Sequence, residues 1–81
     1  MRRWKRPKGG NIACVIDFRD GRLRQAKIIN ETVAGARLVF PAVETLPSVV
    51  TVSFKERNQL IERTCQVMWT NGVEVGVKFI A

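Results

Sequence analysis

Apolar side chains return at every second position through most of this sequence, and turn-forming residues cut the pattern at short intervals. Period two marks a strand with one buried face, because successive side chains point to opposite sides of a pleated sheet. Ile12, Cys14, Ile16 and Phe18 share one face of the first such stretch, Asn11 to Phe18. Asp20-Gly21 follows, and both residues tolerate positive φ, which predicts a hairpin into a returning strand over Leu23 to Ile29. Ala26 and Ile28 face the core on that strand. Ala36, Leu38 and Phe40 then alternate with Arg37 and Val39 up to Pro41. Ala42 to Ser48 carries Pro47 and reads as a loop or a short turn of helix. Val50, Val52 and Phe54 share a face opposite Thr51, Ser53 and Lys55. After a polar turn at Glu56 to Gln59, Ile61 to Thr70 is the longest strand candidate, with Cys65, Val67 and Trp69 on its inner face. Asn71-Gly72 is the strongest hairpin signal, and it leads into Val73, Val75, Val77 and Phe79.

Six short strands and no strong amphipathic helix predict an all-β fold, a small six-stranded antiparallel β-barrel. Closure would remove the exposed sheet edges that a small β-rich chain can ill tolerate. With 81 residues there is room for one core only. Residues 1–10 read as a flexible basic N-terminal arm and hinge, and residues 11–81 as the barrel. The hinge is Pro7-Lys8-Gly9-Gly10, where proline and paired glycine break regular structure.

Charge is concentrated on that arm. Arg2, Arg3, Lys5, Arg6 and Lys8 carry five of the seven net positive charges, with no acid among the first ten residues. Net charge speaks to partners rather than to fold, and this asymmetry points to an anionic partner held by the N-terminus.

Several functions lose their footing in the composition. There is no histidine, so Ser-His and Cys-His nucleophile pairs are excluded, and no carboxylates form an evident pair. An enzyme is not expected. Two cysteines without histidine do not make a typical zinc site, so no metal or cofactor is expected either. No apolar run is long enough for a membrane helix, and no apolar segment follows the basic N-terminus as it would in a secretory signal. The expectation is therefore a cytoplasmic protein without membrane insertion, in which Cys14 and Cys65 are reduced, buried thiols.

Two motifs carry the chemistry. The first is Arg2-x-x-x-Arg6 on the arm; the second is Asn30-Glu31-Thr32-Val33-Ala34-Gly35, between two predicted strands. A guanidinium fork bonds phosphate bidentately and matches the O6 and N7 edge of guanine. An amide, a hydroxyl and a glycine in a tight turn suit the other side of such a ligand. Singly, each motif has a plain reading, a solvated tail or a turn closed by its own side chains. Jointly they point to a receptor for an anionic nucleotide. Trp4, between the arginines, is placed to stack on a purine, on an arginine plane or on the barrel.

In order, the chain reads Arg-x-x-x-Arg, a strand pair, Asn-x-Thr-x-x-Gly-Ala-Arg-Leu, then Val67-Met68-Trp69 and Gly76-Val77-Lys78-Phe79. This combination resembles the PilZ domain, a bacterial receptor module for cyclic di-GMP built on a six-stranded β-barrel. The resemblance runs from Arg2 to Phe79, with Thr32 standing where the family usually has serine. It implies a cyclic di-GMP receptor in second-messenger signalling whose arm orders on binding, with a downstream protein partner reading the new surface. Carried over by motif, the ligand-binding residues are Arg2, Arg6, Asn30, Thr32 and Gly35, with Arg3 and Trp4 as additional candidates. The alternative is a PilZ-like protein–protein interaction module that does not bind the nucleotide. A barrel that binds nucleic acid through the arm is disfavoured, because the aromatic residues mostly fit core positions instead of a stacking face.

Overall fold

The computed structural model describes residues 11–81. Six strands, β1 (Ile12–Asp17), β2 (Leu23–Glu31), β3 (Gly35–Val39), β4 (Val49–Glu56), β5 (Gln59–Asn71) and β6 (Glu74–Phe79), pair antiparallel throughout. They close into a barrel in the order β1-β2-β3-β6-β5-β4. No helix forms among the described residues, and 42–47 is an irregular loop from which Leu46 packs on the core.

Alternation fills the interior much as the sequence pattern demands. Cys14, Ile16, Phe18, Ala26, Ile28, Leu38, Phe40, Val50, Val52, Phe54, Cys65, Val75 and Val77 are buried together, and among the described residues no polar or charged one is buried with them. Fully burying an aliphatic or aromatic side chain is worth about 1.5–3 kcal/mol each, so this cluster is the main source of stability. Phe18 and Phe40 meet edge to face at 6.1 Å, and the Arg22 guanidinium lies 4.5 Å from the Phe18 ring centre. Both cysteines are free and buried. Burial pushes the Cys14 thiol up to about 12, with Cys65 nearby adding to the rise; burial likewise pushes Cys65 up to about 11 against a smaller opposing pull from Arg63.

The hairpins depart from the dipeptide signals in detail. Strand β5 starts at Gln59, because Arg57 and Asn58 (φ 54° and 66°) make a two-residue turn closed by the Glu56–Gln59 pair. At the other end of β5 the central residues are Gly72 and Val73, one step later than Asn71-Gly72, since Asn71 still pairs with Glu74. Gly72 has φ 63° at the first central position, which a type II′ hairpin reserves for glycine.

One inward assignment is overturned. Trp69 faces outward and is 45% exposed. The cause is a β-bulge: Val67 pairs with Val77 and Trp69 with Gly76, leaving Met68 as an extra residue on β5. One extra residue reverses the parity of every side chain beyond it. A second bulge lies in β2, where Ile28 pairs with Leu38 and Asn30 with Arg37, leaving Ile29 extra.

Candidate functional site

The second sequence motif is only partly a loop. Asn30 and Glu31 are the last residues of β2, and Gly35 is the first of β3, so the connection itself is Thr32, Val33 and Ala34. Two hydrogen bonds close it: Thr32 N–H donates to the Gly35 carbonyl at 2.9 Å, and Ala34 N–H donates to Thr32 Oγ1 at 3.1 Å. The Thr32 hydroxyl thus accepts within the turn and keeps its own proton to donate outward. A serine would do the same; the extra methyl of threonine narrows its side-chain rotamers.

Gly35 is explained by the sheet. A Cβ there would run into the Val77 backbone oxygen, with Lys78 Cα at 3.1 Å and Val77 C at 3.2 Å. Close approach of β3 to β6, rather than positive φ, is what requires glycine at this position.

Because of the β2 bulge, Asn30 is exposed on the barrel's outer face, in register with Arg37 of β3. Ile28, the alternating residue before it, is buried; without the bulge Asn30 would have pointed to the same side. Arg37 pairs in turn with Gly76 of β6, and Gly35 with Lys78. Arg37 Nη1 lies 3.5 Å from Glu74 Oε1, an exposed contact of the kind worth about 0–1 kcal/mol. Asn30, Thr32, Gly35, Arg37 and Lys78 therefore border one shallow recess of about 350 Å³. Arg37 and Lys78 did not emerge as site residues from the motif; their outward parity beside it was the available signal.

Arg2, Arg3, Trp4 and Arg6 lie outside the described residues, as does the whole 1–10 arm. The chain enters the barrel at a telling place, though. Ile12 pairs with Ile28, two residues before Asn30, so residue 11 sits at the end of the barrel that carries the β2–β3 turn. Five residues of chain reach at most roughly 17 Å, which bounds the separation of Arg6 from Asn11.

A larger groove of about 720 Å³ opens elsewhere, where β1 and β4 part company. Their pairing is limited to Val15–Ser53, Ile16–Val52 and Asp17–Thr51, and beyond it Cys14, Ala26, Phe40 and Phe54 line a largely apolar recess with Leu60. Size alone would make it the default ligand site. Among the described residues Gln25, Lys27, Ser53 and Lys55 are its polar side chains, set in otherwise apolar walls, and no residue of the Asn30–Gly35 motif lines it. No group of His, Cys, Asp and Glu among the described residues is arranged to hold a metal ion, and no helix there is long and apolar enough to cross a membrane.

The described residues thus form a closed, small all-β barrel with a polar, cationic corner on its outer wall. The family model for the PilZ domain matches residues 2–81, essentially the whole chain, and the chain belongs to that family, whose modules bind cyclic di-GMP. A search of curated proteins finds no match to the chain.

Proposed function

We infer that this chain is a receptor for cyclic di-GMP, a binding module rather than an enzyme. One observation carries the reading beyond family membership: Asn30, Thr32, Arg37 and Lys78 share an outer recess at the barrel end where the arm joins. Two guanidinium groups, Arg2 and Arg6, supply the remaining phosphate and guanine contacts, with Arg3 and Trp4 beside them. Asn30 takes a base edge or a phosphate oxygen, and Thr32 donates its hydroxyl. Gly35 contributes by holding β3 against β6, which fixes the turn, and not by touching ligand. The dianionic ligand neutralises the arginines and closes the arm over the corner, and a downstream protein reads the surface so formed. The site of action is the cytoplasm, where the second messenger is found.

Calorimetric titration of cyclic di-GMP into the domain, with Arg6→Ala alongside, tests this. Saturable binding that Arg6→Ala abolishes is the expected result. A folded wild-type domain that releases no heat and holds no nucleotide overturns it, and leaves a PilZ-like interaction module as the function to pursue.

A further inference from the structure

On the outer wall, Ala13 of β1 pairs with Lys27 of β2. The β1–β4 register, which sets Val15 against Ser53, would next bring Ala13 opposite Lys55, but the ladder has already ended there. The same register would set Cys14 against Phe54 in the interior. With the two strands apart, both residues instead line the 720 Å³ groove, together with Ala26 and Phe40. The opening thus leads from the outer surface down to four side chains that are each no more than 5% exposed. Val15 and Leu60 are exposed and carry the apolar wall outward to the rim.

Charge at the mouth is one-sided. Lys27 and Lys55 are exposed on strands either side of the small Ala13, and both belong to the lining. Neither makes an ion pair among the described residues, whereas Arg22, Arg24 and Arg37 each hold a carboxylate. No acid lines the groove among the described residues: Glu62, opposite Ser53 on β5, and Glu56, beside Lys55 in sequence, both stay outside it. Two uncompensated ammonium groups over an apolar recess specify an occupant with an apolar body and one negative end. The basic arm is a poor fit to that specification. Its five cations, with no acid among them, would meet Lys27 and Lys55 as like charges.

We propose that this groove binds a free medium-chain carboxylate, with its alkyl chain between β1 and β4 over Cys14 and Phe54 and its carboxylate between Lys27 and Lys55. The groove volume falls within the roughly 300–1,000 Å³ typical of small-ligand sites. Each CH₂ that leaves water tightens binding about fourfold until the chain fills the recess. The head group adds a charge-assisted contact at an exposed rim, worth about three- to tenfold once solvent screening is allowed for. The groove shares no residue with the recess at Asn30, Thr32 and Gly35, so this inference stands or falls separately from the receptor function.

The test titrates octanoate, decanoate and octanol into the full chain by calorimetry, below their micelle concentrations, and follows backbone amide shifts by NMR. Expected is saturable binding of one molecule per chain, with decanoate about fifteenfold tighter than octanoate. Amide shifts should move at Ala13, Val15, Lys55 and Leu60 and stay still from Thr32 to Gly35. Lys27→Gln/Lys55→Gln, which alters only exposed side chains, should weaken decanoate about three- to tenfold and leave octanol unchanged. Absence of saturable decanoate binding up to about 1 mM overturns the proposal. So does a double variant that binds decanoate as tightly as the wild type, or a set of shifts centred away from the groove. Binding that appears only in Trp4→Ala makes the arm the occupant and overturns it as well.

Discussion

The two recesses of this barrel make opposite use of the same sheet. The wide groove forms where pairing stops: β1 and β4 separate after three paired residues, and apolar side chains otherwise confined to the interior come to line an opening. The small corner forms where pairing continues but slips by one, so that polar and aromatic side chains reach the outside. A gap in the ladder gives volume with mostly apolar walls. A bulge gives chemistry without volume. For a ligand made of phosphates and planar bases, directed donors count for more than empty space.

The comparison can be broken or sharpened by substitution. The largest effect is expected at Phe54, which is buried and lines the groove floor. Phe54→Ala should cost about 3–5 kcal/mol in urea unfolding, because the groove cannot collapse to fill the void. If it costs less than 1 kcal/mol, the groove is a pliable feature and not part of the core. Next comes alkaline pH. Both thiols have folded values raised above their ordinary 9.0, to about 12 and about 11. A raised value means that the stability gained by keeping them neutral is complete below about pH 9 and is lost as pH climbs toward 11–12. Thermal melts between pH 8 and 11 should fall progressively, and the Cys14→Ala/Cys65→Ala chain should show a flatter profile. An equally steep fall in that variant would assign the loss to other groups.

At the polar corner, Gly35→Ala should destabilise by about 1–3 kcal/mol, since the obstructing atom is the backbone oxygen of Val77 and cannot swing aside. A melting temperature unchanged by that substitution would mean that β3 and β6 are less closely joined than the geometry requires. Thr32→Ala should leave stability within about 1 kcal/mol but weaken cyclic di-GMP roughly tenfold by calorimetry, the worth of one hydrogen bond to a charged acceptor. The smallest effect belongs to the exposed groove rim: Leu60→Ser should move stability by no more than about 0.5 kcal/mol and leave nucleotide affinity unchanged. A loss of affinity there, with Thr32→Ala silent, would exchange the roles of the two recesses.

What could be read in advance follows a physical line. Strand identity and the inner residues of β1 and β4 were legible because alternation there is unbroken and every second residue is apolar, and in β2 Ala26 and Ile28 were legible ahead of the bulge. Trp69 was misassigned for the same reason: period two extrapolates through Met68, and a bulge is a backbone event that side-chain type does not announce. Asn30 and Thr32 were legible as a motif, but their placement was not, since Asn30 turned out to be in a strand. Gly35 was legible as a glycine of the turn, but that close approach and not positive φ requires it depends on the position of β6. Arg37 and Lys78 became site residues through the neighbours that β6 gave them, a long-range pairing that no local signal encodes.

The extra residue in β5 has a consequence for how this strand can vary. Met68 acts as a frameshift: before it Cys65 and Val67 face the core, and after it the odd-numbered Trp69 faces out. Substituting Met68 keeps the frame, whereas deleting it would turn the indole toward the packed interior of the barrel. In this strand the number of residues is itself part of the message, and a chain of identical composition but one residue shorter would spell a different surface.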